Sequence, residues 1–296
     1  MEQSEGLIIK GVGGFYMVET AEAVYECKAR GIFRKEKICP LPGDHVLMEP
    51  DGFGKGWIIE ILPRKNMLLR PRVANLDKLF VVSSVAEPLP NTLVMDKTIA
   101  IAEKKDIQPV IVVTKTDLDT PDPLCEIYEK AGFCVICFSI TDRRGIEKVK
   151  QELIGCVSAF TGNSGVGKST LLNALGEGLS LPTGDISKKL GRGRHTTRHV
   201  ELYKLQEGGY VADTPGFSSV DIERSEVILK DELEYCFREF AAYRGTCRFT
   251  GCSHTSEKGC GIIQAVKDGK ISTQRHGNYV EMYNEVKNIR EWEISN

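Results

Sequence analysis

Residues 156–175 read CVSAFTGNSGVGKSTLLNAL. The middle of this stretch fits the pattern G-x-x-x-x-G-K-[ST]. It lies between an apolar run at residues 156–160 and a segment with leucines at helical spacing. A strand, a glycine-rich loop and a helix in that order form a P-loop, whose backbone amides wrap a phosphate at a helix N-terminus. A chance glycine-rich loop is the alternative, but this flanking context favours a nucleotide-binding α/β domain.

The P-loop and a second motif, D-x-x-G, predict which residues contact the phosphates and Mg²⁺. Lys168 would reach the β- and γ-phosphates, and the hydroxyl of Ser169 would bind Mg²⁺. Residues 213–216 read Asp-Thr-Pro-Gly after another apolar run and fit the motif D-x-x-G. Asp213 would hold Mg²⁺ through water, and the amide of Gly216 would contact the γ-phosphate. A tight turn is the alternative for so short a motif.

Residues 114–117 predict which base the bound nucleotide carries. They read Thr-Lys-Thr-Asp at the end of an apolar run. P-loops also serve kinases and ATPases, so the choice of base needs its own argument. The tetrapeptide resembles the guanine motif N-K-x-D, whose aspartate accepts hydrogen bonds from the guanine N1–H and N2 groups. Adenine lacks both donors and would leave the carboxylate of Asp117 unpaired, a penalty that can reach about 10⁴-fold. The stem of Lys115 would lie over the base, and residues 138–140 would form a second loop beside it.

A basic segment separates the P-loop from the D-x-x-G motif. Residues 187–198 carry five lysines and arginines and no acidic residue. Their position is that of switch I, which supplies a threonine to Mg²⁺, and Thr196 and Thr197 are the candidates. Contact with an RNA backbone is a second interpretation of the same charges, and a solvated basic loop is a third.

Together these motifs define the predicted nucleotide site. The residues expected to contact GTP are Thr114, Lys115, Thr116, Asp117, Gly162, Asn163, Ser164, Gly165, Val166, Gly167, Lys168, Ser169, Thr170, Asp213 and Gly216. The residues expected to bind Mg²⁺ are Ser169, Thr196, Thr197 and Asp213. The guanine motif precedes the P-loop, whereas ordinary GTPases have the opposite order. A parallel sheet permits this circular permutation, because all of its binding loops follow the carboxyl ends of the strands.

The flanking regions differ from this central domain. Before residue 62, short runs rich in β-forming residues alternate with turn residues, and five strands without a long helix predict a small barrel. We favour an OB-fold, and an SH3-like barrel is the alternative. After residue 220, the spacing of four apolar residues predicts a helix with one apolar stripe: Leu233, Cys236, Phe237 and Phe240. The predicted domains are residues 1–67, 68–220 and 221–296.

Three cysteines and one histidine lie close together near the C-terminus. They are a complete set of four ligands for a tetrahedral structural zinc: Cys247, Cys252, His254 and Cys260. Because all four positions are filled, the site has no open position for catalysis. A disulfide is the alternative, and a reducing compartment disfavours it. We expect one zinc ion per chain, in a mostly helical C-terminal domain.

The composition is that of a soluble globular protein. Of the 296 residues, 41% are hydrophobic and 27% are charged, and the formal net charge is −2. This balance argues against a wholly basic nucleic-acid binder but permits local basic patches. No apolar run is long enough to cross a membrane, and the acidic, polar N-terminus lacks the features of a secretory signal. The sequence therefore predicts a cytoplasmic protein without a membrane partner.

In combination these features resemble the RsgA family, the circularly permuted GTPases of small ribosomal subunit biogenesis. The resemblance covers nearly the whole chain and rests on residues 162–169, 193–197, 213–217 and the Cys₃His cluster. It implies an OB-fold, a permuted GTPase domain and a zinc-binding domain, in that order. It also implies slow GTP hydrolysis that the 30S subunit stimulates, contact with 16S rRNA, and assistance in late 30S maturation. We expect a monomer.

Two positions depart from common GTPase motifs. Thr114 replaces the usual asparagine of the guanine motif, and we expect weaker nucleotide binding with unchanged base choice. Phe217 stands where Ras-like GTPases have a glutamine that orients the attacking water. His195 is the best internal candidate for that task, because it can accept a proton near neutral pH, and the resemblance points to the same residue. Contact with rRNA is the alternative role for His195.

The barrel offers a second candidate surface for RNA. Basic residues crowd one stretch of it: Lys28, Arg30, Arg34, Lys35 and Lys37. Three aromatic residues could stack on bases, although a place in the barrel core is favoured for each: Phe15, Tyr16 and Phe33. The alternative function for the whole chain is a metabolic P-loop phosphotransferase, in which zinc serves only stability.

Overall fold

The structure is a computed structural model that describes residues 3–31, 33, 38–175, 200–213 and 226–290. Contacts between Cα atoms divide the chain into two units. The first unit comprises Met1–Lys78, Lys150–Phe160 and Leu172–Phe217. The second comprises Leu79–Val149, Thr161–Leu171 and Ser218–Asn296. Each unit therefore combines segments that are distant in the sequence.

The described ranges contain strands and helices in the following chain order. The strands are β1 (Ser4–Val12), β2 (Phe15–Thr20), β3 (Val24–Ala29), β4 (His45–Pro50), β5 (Lys55–Ile61), β6 (Met67–Leu69), β7 (Arg72–Ala74), β8 (Lys78–Ser84), β9 (Gln108–Thr114), β10 (Cys134–Cys137), β11 (Val157–Thr161), β12 (Glu201–Lys204) and β13 (Tyr210–Asp213). The α-helices are α1 (Thr92–Lys104), α2 (Asp122–Lys130), α3 (Ile146–Leu153), α4 (Lys168–Leu175), α5 (Lys230–Leu233), α6 (Gly261–Lys267) and α7 (Thr273–Val286). Among the described residues, no helix is both long enough and apolar enough to span a bilayer.

The N-terminal strands form the predicted five-stranded barrel. β1, β2 and β3 are antiparallel neighbours, β3 pairs in parallel with β5, and β4 pairs with both β5 and β1. The return of β4 to β1 closes the barrel, which is the OB-type architecture favoured by the sequence. Alternate residues of each strand point inward. Together with Phe33, which lies between β3 and β4, they form a core that contains Ile8, Val18, Cys27, Val46, Met48 and Ile58.

The three aromatic residues considered for base stacking have different surroundings. Phe33 is buried in the barrel core and Tyr16 packs against that core. Phe15 is 43% exposed, so the preference for a core position is wrong for this residue. The reason is its register, since Phe15 lies opposite Lys28 on the outer face of the sheet. Of the other basic residues in this stretch, Arg30 is exposed, and Arg34, Lys35 and Lys37 lie outside the described residues.

Three further strands belong to the first unit. β12 pairs antiparallel with β13, and it meets β1 where Lys10 lies opposite Glu201, with 2.7 Å between their charged groups. β13 pairs in parallel with β11, with Ala159 opposite Ala212. All five residues of β11 are buried, as expected for a parallel strand covered on both faces.

The second unit contains three neighbouring strands in the order β10-β9-β8. β9 and β10 are parallel. All residues of β9 after Gln108 are buried, and so are all residues of β8 after Lys78. The helices α1 and α2 contact β9, and α2 also contacts β10. The apolar runs that predicted these strands are thus explained by burial under helices.

The predicted helix with one apolar stripe is wrong in its backbone. α5 ends at Leu233, and two 3₁₀ turns follow it, Glu234–Cys236 and Arg238–Phe240. Between them Phe237 is extended, with φ −111° and ψ 93°, and its ring packs 5.3 Å from that of Phe240 and 5.2 Å from that of Tyr279. Packing against these rings overrides the helical periodicity. The four residues of the stripe are nonetheless buried: Leu233, Cys236, Phe237 and Phe240.

A buried arginine joins the C-terminal helices to α1. The guanidinium of Arg275, on α7, lies 2.6 Å from Asp96 of α1 and 2.6 Å from Glu239. Asn278 donates a further hydrogen bond of 2.6 Å to Asp96. The guanidinium also lies 4.7 Å from the ring centroid of Phe237. Removal of Arg275 would leave the buried carboxylates of Asp96 and Glu239 without a cation, which costs about 3–5 kcal/mol, so this cluster fixes α7 against α1.

Candidate functional site

The P-loop lies where the sequence predicts it, after β11 and before α4. The Nζ of Lys168 donates hydrogen bonds to the backbone carbonyls of Gly162 and Asn163, so its positive charge lies over the loop. Burial lowers the pKa of Lys168, because an ammonium group in a poorly solvated position is less stable in its charged form. Such a group gains from an anionic partner, and a phosphate would fit this environment.

The backbone of the loop requires glycine at its first position. Gly162 has φ +149°, and a Cβ there would lie 2.2 Å from the carbonyl oxygen of Val82 on β8. A larger residue would therefore push the loop away from this strand. A glycine-rich loop that leads directly into a helix presents backbone N–H groups to a phosphate, as the sequence motif predicts.

Thr114 connects the guanine motif to the P-loop. It is the last residue of β9 and is 1% exposed. Its hydroxyl lies 3.1 Å from the carbonyl oxygen of Ser83 and within hydrogen-bond distance of the carbonyl oxygen of Val166. A hydroxyl has one proton, so it donates to one of these carbonyls at a time. An asparagine amide has two N–H donors. Threonine at this position therefore offers one hydrogen-bond donor where asparagine would offer two.

Asp117 is exposed and is oriented by Thr141, a residue absent from the predicted site. The hydroxyl of Thr141 donates a hydrogen bond of 2.8 Å to Asp117. This hydrogen bond is the main reason that the pKa of Asp117 is lowered, which keeps its carboxylate ready to accept donors. The backbone N–H of Thr141 in turn donates to the Ser139 hydroxyl at 3.2 Å. In the sequence, the only indication of this contact is that two hydroxyl residues, Ser139 and Thr141, follow closely after an apolar run.

Backbone contacts hold the rest of the guanine motif. Lys115 has φ +59°, and its Nζ donates to the carbonyl oxygen of Glu87. The hydroxyl of Thr116 donates to the carbonyl oxygen of Phe138 at 3.2 Å. Phe138 is buried, whereas Ile140 is 50% exposed. The predicted second loop therefore lies against the guanine motif.

The predicted magnesium ligands are only partly described. Ser169 and Thr170 are exposed in the first turn of α4. Asp213 is the last residue of β13. The remaining predicted groups lie outside the described residues: the Asp213 side chain, His195, Thr196, Thr197 and Gly216.

The four predicted zinc ligands converge on one point. Their ligand atoms all lie within 4.8 Å of one another. The sulfurs of Cys247 and Cys260 are 3.8 Å apart, and Nδ1 of His254 is 3.5 and 3.4 Å from them. A tetrahedron with the usual Zn–S and Zn–N lengths has edges of about 3.8 Å between sulfurs and about 3.5 Å between sulfur and nitrogen. The set completed by Cys252 therefore fits a zinc ion.

The surroundings of the cysteines also suit thiolate ligands. The backbone N–H of Gly261 donates to Cys247 Sγ at 3.3 Å, and that of Ile263 donates to Cys260 Sγ at 3.5 Å. Burial raises the pKa of Cys252 to about 12. A thiol in this environment needs a cation in order to stay ionised at neutral pH, and zinc is the cation that this ligand set selects.

Two glutamates that were not predicted position His254, one through its ring and the other through the neighbouring backbone. Glu234 lies 3.0 Å from Nε2 of His254, which leaves Nδ1 for the metal, as carboxylates beside zinc-binding histidines do. Glu257 accepts backbone hydrogen bonds from Ser253 at 2.7 Å and from Thr255 at 3.0 Å. Burial acts to raise the pKa of Glu257, but the hydrogen bonds outweigh it and lower the pKa to about 2. The loop around His254 is therefore fixed from both sides.

Two family models match the chain. The RsgA N-terminal domain matches residues 5–58, and the RsgA GTPase matches residues 61–223, which is more than half of the chain. The chain belongs to the RsgA GTPase family. As a family member it is a GTP hydrolase, and the GTPase domain gives no support to the phosphotransferase alternative.

Relatives of this RsgA-family chain align over nearly its full length. The small ribosomal subunit biogenesis GTPase RsgA of Caldanaerobacter subterraneus is 43% identical over 290 residues, which cover 97% of each chain. That of Ruminiclostridium cellulolyticum is 44% identical over 293 residues, covering 97% of this chain and 95% of the relative.

Two solved structures have the same fold. YjeQ from Thermotoga maritima has a TM-score of 0.81 and 35% identity, covering 98% of this chain and all of its own. YloQ, a circularly permuted GTPase, has a TM-score of 0.80 and 36% identity, covering 98% of this chain and 96% of its own. These similarities confirm the predicted barrel and the permuted GTPase fold.

Proposed function

We propose that this chain acts in small ribosomal subunit biogenesis and hydrolyses GTP to GDP and phosphate while bound to the 30S subunit. Its curated relatives are named for that process. The hydrogen bond between Thr114 and the P-loop carries the proposal, because it joins a base-selecting motif to a phosphate-binding loop within one unit. The proposed RNA partner is 16S rRNA, and the proposed acting form is a cytoplasmic monomer that assists late 30S maturation.

In this proposal each loop has one task toward the nucleotide. Asp117 accepts hydrogen bonds from guanine while Thr141 orients its carboxylate. Lys115 lies over the base. Lys168 exchanges its hydrogen bonds to loop carbonyls for the phosphates, and with the loop amides it neutralises charge that develops on the γ-phosphate oxygens. The remaining proposed contacts are Thr114, Thr116, Asn163, Ser164, Gly165, Val166, Gly167, Thr170 and Gly216.

Metal ions have separate proposed roles. When bound, Mg²⁺ would neutralise charge on the β- and γ-phosphates. Its proposed ligands are Ser169, Thr196, Thr197 and Asp213. One Zn²⁺ per chain is proposed for the C-terminal cluster, where four protein ligands leave no position for substrate.

His195 is the proposed catalytic residue. Phe217 has no hydrogen-bonding group, so it cannot orient the water that attacks the γ-phosphate. An imidazole can hold such a water and accept its proton near neutral pH. The competing role is contact with rRNA, because the neighbours of His195 are basic. In the proposed order of events, binding to the 30S subunit positions this segment and accelerates hydrolysis.

Single-turnover GTP hydrolysis with saturating 30S subunits tests this assignment. The variant His195→Ala is expected to lose about 10²-fold in rate or more with unchanged 30S affinity. The variant Lys168→Ala should lose turnover with and without 30S subunits, because it removes the phosphate charge partner. Normal turnover by His195→Ala, or weakened 30S binding alone, would assign His195 to RNA contact. If the unaltered chain neither binds 30S subunits nor hydrolyses GTP faster with them, the proposed function is wrong.

A further inference from the structure

Two cysteines of the second unit lie in direct contact. Cys125 is on α2, and Cys137 is the last residue of β10. Their Sγ atoms are 3.3 Å apart, and both residues are free thiols. Cys125 is 6% exposed, whereas Cys137 is partly exposed. The pair therefore joins one residue inside the fold to one that is in contact with solvent.

The spacing of this pair does not suit a metal ion. The sulfurs of Cys247 and Cys260 are 3.8 Å apart, which is about the edge of a tetrahedron around zinc, and those of Cys125 and Cys137 are closer. Within the described part of the chain, no third cysteine, histidine or carboxylate joins the pair in a potential metal-binding group. Two thiols in direct contact can instead bond to each other, which requires an S–S distance of about 2.0 Å.

Cys137 lies beside the guanine motif of residues 114–117. In the parallel pairing of β9 and β10 it is the partner of Val113. Phe138, the next residue, donates its backbone N–H to the carbonyl oxygen of Val113 at 2.7 Å, and its own carbonyl accepts from the Thr116 hydroxyl at 3.2 Å. The backbone after Cys137 is therefore tied to the strand end and to the motif that follows it.

The loop after Cys137 has little room to adjust. A Cβ at Gly145 would lie 2.3 Å from the carbonyl oxygen of Cys137, so the end of this loop packs directly against its beginning. The same loop contains Thr141, whose hydroxyl donates the 2.8 Å hydrogen bond that orients Asp117. A displacement of Cys137 is therefore passed on to the group that positions the guanine-binding carboxylate.

We propose that Cys125 and Cys137 are a reversible oxidation site, at which hydrogen peroxide forms a disulfide that weakens guanine-nucleotide binding. Because the sulfurs must approach from 3.3 Å to about 2.0 Å, the bond draws the end of β10 toward α2. The loop that contains Thr141 moves with it, and Asp117 loses its orientation. In a reducing compartment the dithiol is the resting form, and the disulfide is transient.

The reaction balances with one peroxide molecule for each pair. The thiolate of Cys137 attacks one peroxide oxygen, the O–O bond breaks, and the departing hydroxide takes up the thiol proton to form water. This step leaves a sulfenic acid on Cys137. The sulfur of Cys125 then attacks the sulfenic sulfur, an S–S bond forms, and the S–O bond breaks as hydroxide leaves with the Cys125 proton as a second water. The two thiols thus lose two electrons and two protons.

The order of the two steps follows from the surroundings of the thiols. Burial is the main reason that the pKa of Cys125 is raised to about 12, so this thiol stays protonated at neutral pH and is a poor first nucleophile. Cys137 is the more exposed residue of the pair and therefore meets peroxide first. Cys125 reacts second, because the sulfenic acid is already in contact with its sulfur.

Peptide mapping tests the bond itself. The reduced, zinc-loaded chain is treated with a small excess of hydrogen peroxide, its remaining thiols are alkylated, and it is digested with trypsin without reduction. Cleavage after Lys130 separates the two cysteines, so a linked peptide pair should accumulate and should disappear with dithiothreitol. Fragment spectra must assign the bond to Cys137 and not to Cys134 of the same peptide. The absence of a linked pair, or a sulfinic acid at Cys137 in its place, would overturn the proposal.

Titration with fluorescently labelled GDP tests the consequence for binding. The oxidised chain should bind GDP about tenfold more weakly, as expected for the loss of one hydrogen bond to a charged group, and dithiothreitol should restore the affinity. Cys125→Ala and Cys137→Ala should bind GDP normally and should keep that affinity after peroxide treatment. If a reduced alanine variant does not bind GDP, the serine variant at the same position takes its place. Cys39→Ala is the matched control, because Cys39 is exposed and belongs to the barrel, and it should respond to peroxide like the unaltered chain.

The zinc cysteines require a separate check, since peroxide also oxidises them. Elemental analysis of the oxidised chain should show that zinc is retained. A loss of affinity that occurs only with loss of zinc, or that is equally large in Cys137→Ala, would show that the pair is not responsible. Formation of the linked pair with unchanged GDP affinity would overturn the proposed effect on binding. Because none of these measurements uses 30S subunits, their outcome is independent of the proposed function.

Discussion

The P-loop would contact phosphate mainly through backbone amides, whereas the proposed zinc site would contact its metal through side chains. The P-loop is shaped by Gly162 and by the hydrogen bond from Thr114, which are internal to the protein. The zinc loop instead brings together thiols whose pKa burial raises, as at Cys252. We therefore expect the P-loop to be formed before its ligand binds, and the Cys₃His loop to need zinc in order to be stable.

Zinc removal is the strongest way to test this contrast. Chelation, or the variant Cys252→Ser, should remove on the order of 10 kcal/mol of folding free energy from the C-terminal region. The zinc loop supports α7 through hydrogen bonds from His276 to the carbonyl oxygen of His254 at 2.8 Å and from Tyr279 to that of Ser253 at 3.0 Å. Hydrogen exchange should therefore show loss of protection in α7.

The same experiment shows how far the effect extends. Protection in α1 should fall as well, because Asp96 would lose Arg275, while β9 should stay protected. Elemental analysis must confirm that the metal has been removed. Unchanged exchange in α7 of the zinc-free chain would contradict the contrast between the two sites.

A smaller effect is expected at the nucleotide site from Thr114→Val. This change keeps the shape of the side chain but leaves the carbonyl oxygens of Ser83 and Val166 without their donor, which costs about 1–3 kcal/mol. GTP and GDP affinity should fall about tenfold, while the ratio of GTP to ATP affinity stays the same, because Asp117 is unchanged. Fluorescence titration with labelled nucleotides measures both quantities.

Thr114→Asn is the matched control for that variant. An amide has two donors, so this chain should bind nucleotide at least as tightly as the unaltered one. If Thr114→Val binds as tightly as Thr114→Asn, the hydroxyl has no role in shaping the P-loop.

The smallest expected effect comes from Glu257→Gln and depends on pH. The pKa of Glu257 is lowered from 4.5 to about 2, so the folded state favours the carboxylate. This contribution is fully present above the unfolded value of 4.5 and is lost as the pH falls toward 2. The stability difference between the two chains should therefore be larger at pH 7 than at about pH 4. Because protons compete with zinc for the cysteine and histidine ligands, denaturant midpoints are compared only where elemental analysis shows that both chains retain zinc, and an equal difference at both pH values would contradict the prediction.

The sequence predicted those parts of the molecule that depend on local pattern. The P-loop follows from fixed glycine and lysine positions, and β9 and β11 follow from apolar runs that parallel sheets require. Phe237 breaks a regular helical pattern because its ring packs against two distant residues, and Thr141 reaches Asp117 only in the folded chain. Such contacts between distant segments leave no periodic signal.

Other predictions have a different status. β12 was not predicted, since four residues of mixed polarity carry little pattern. The domain limits at residues 67 and 220 stay a prediction, as do the roles of His195 and the magnesium threonines.

The buried pair of Asp96 and Arg275 has a consequence for synthesis on the ribosome. The two residues are 179 positions apart, so Asp96 is translated long before Arg275. During synthesis, α1 is translated before α7, so Asp96 has no ion-pair partner until Arg275 has been added to the chain. This charge pair of the second unit therefore forms only after α7 leaves the exit tunnel. A chain truncated before α7 would lack Arg275, so the carboxylate of Asp96 would have lost its buried cationic partner.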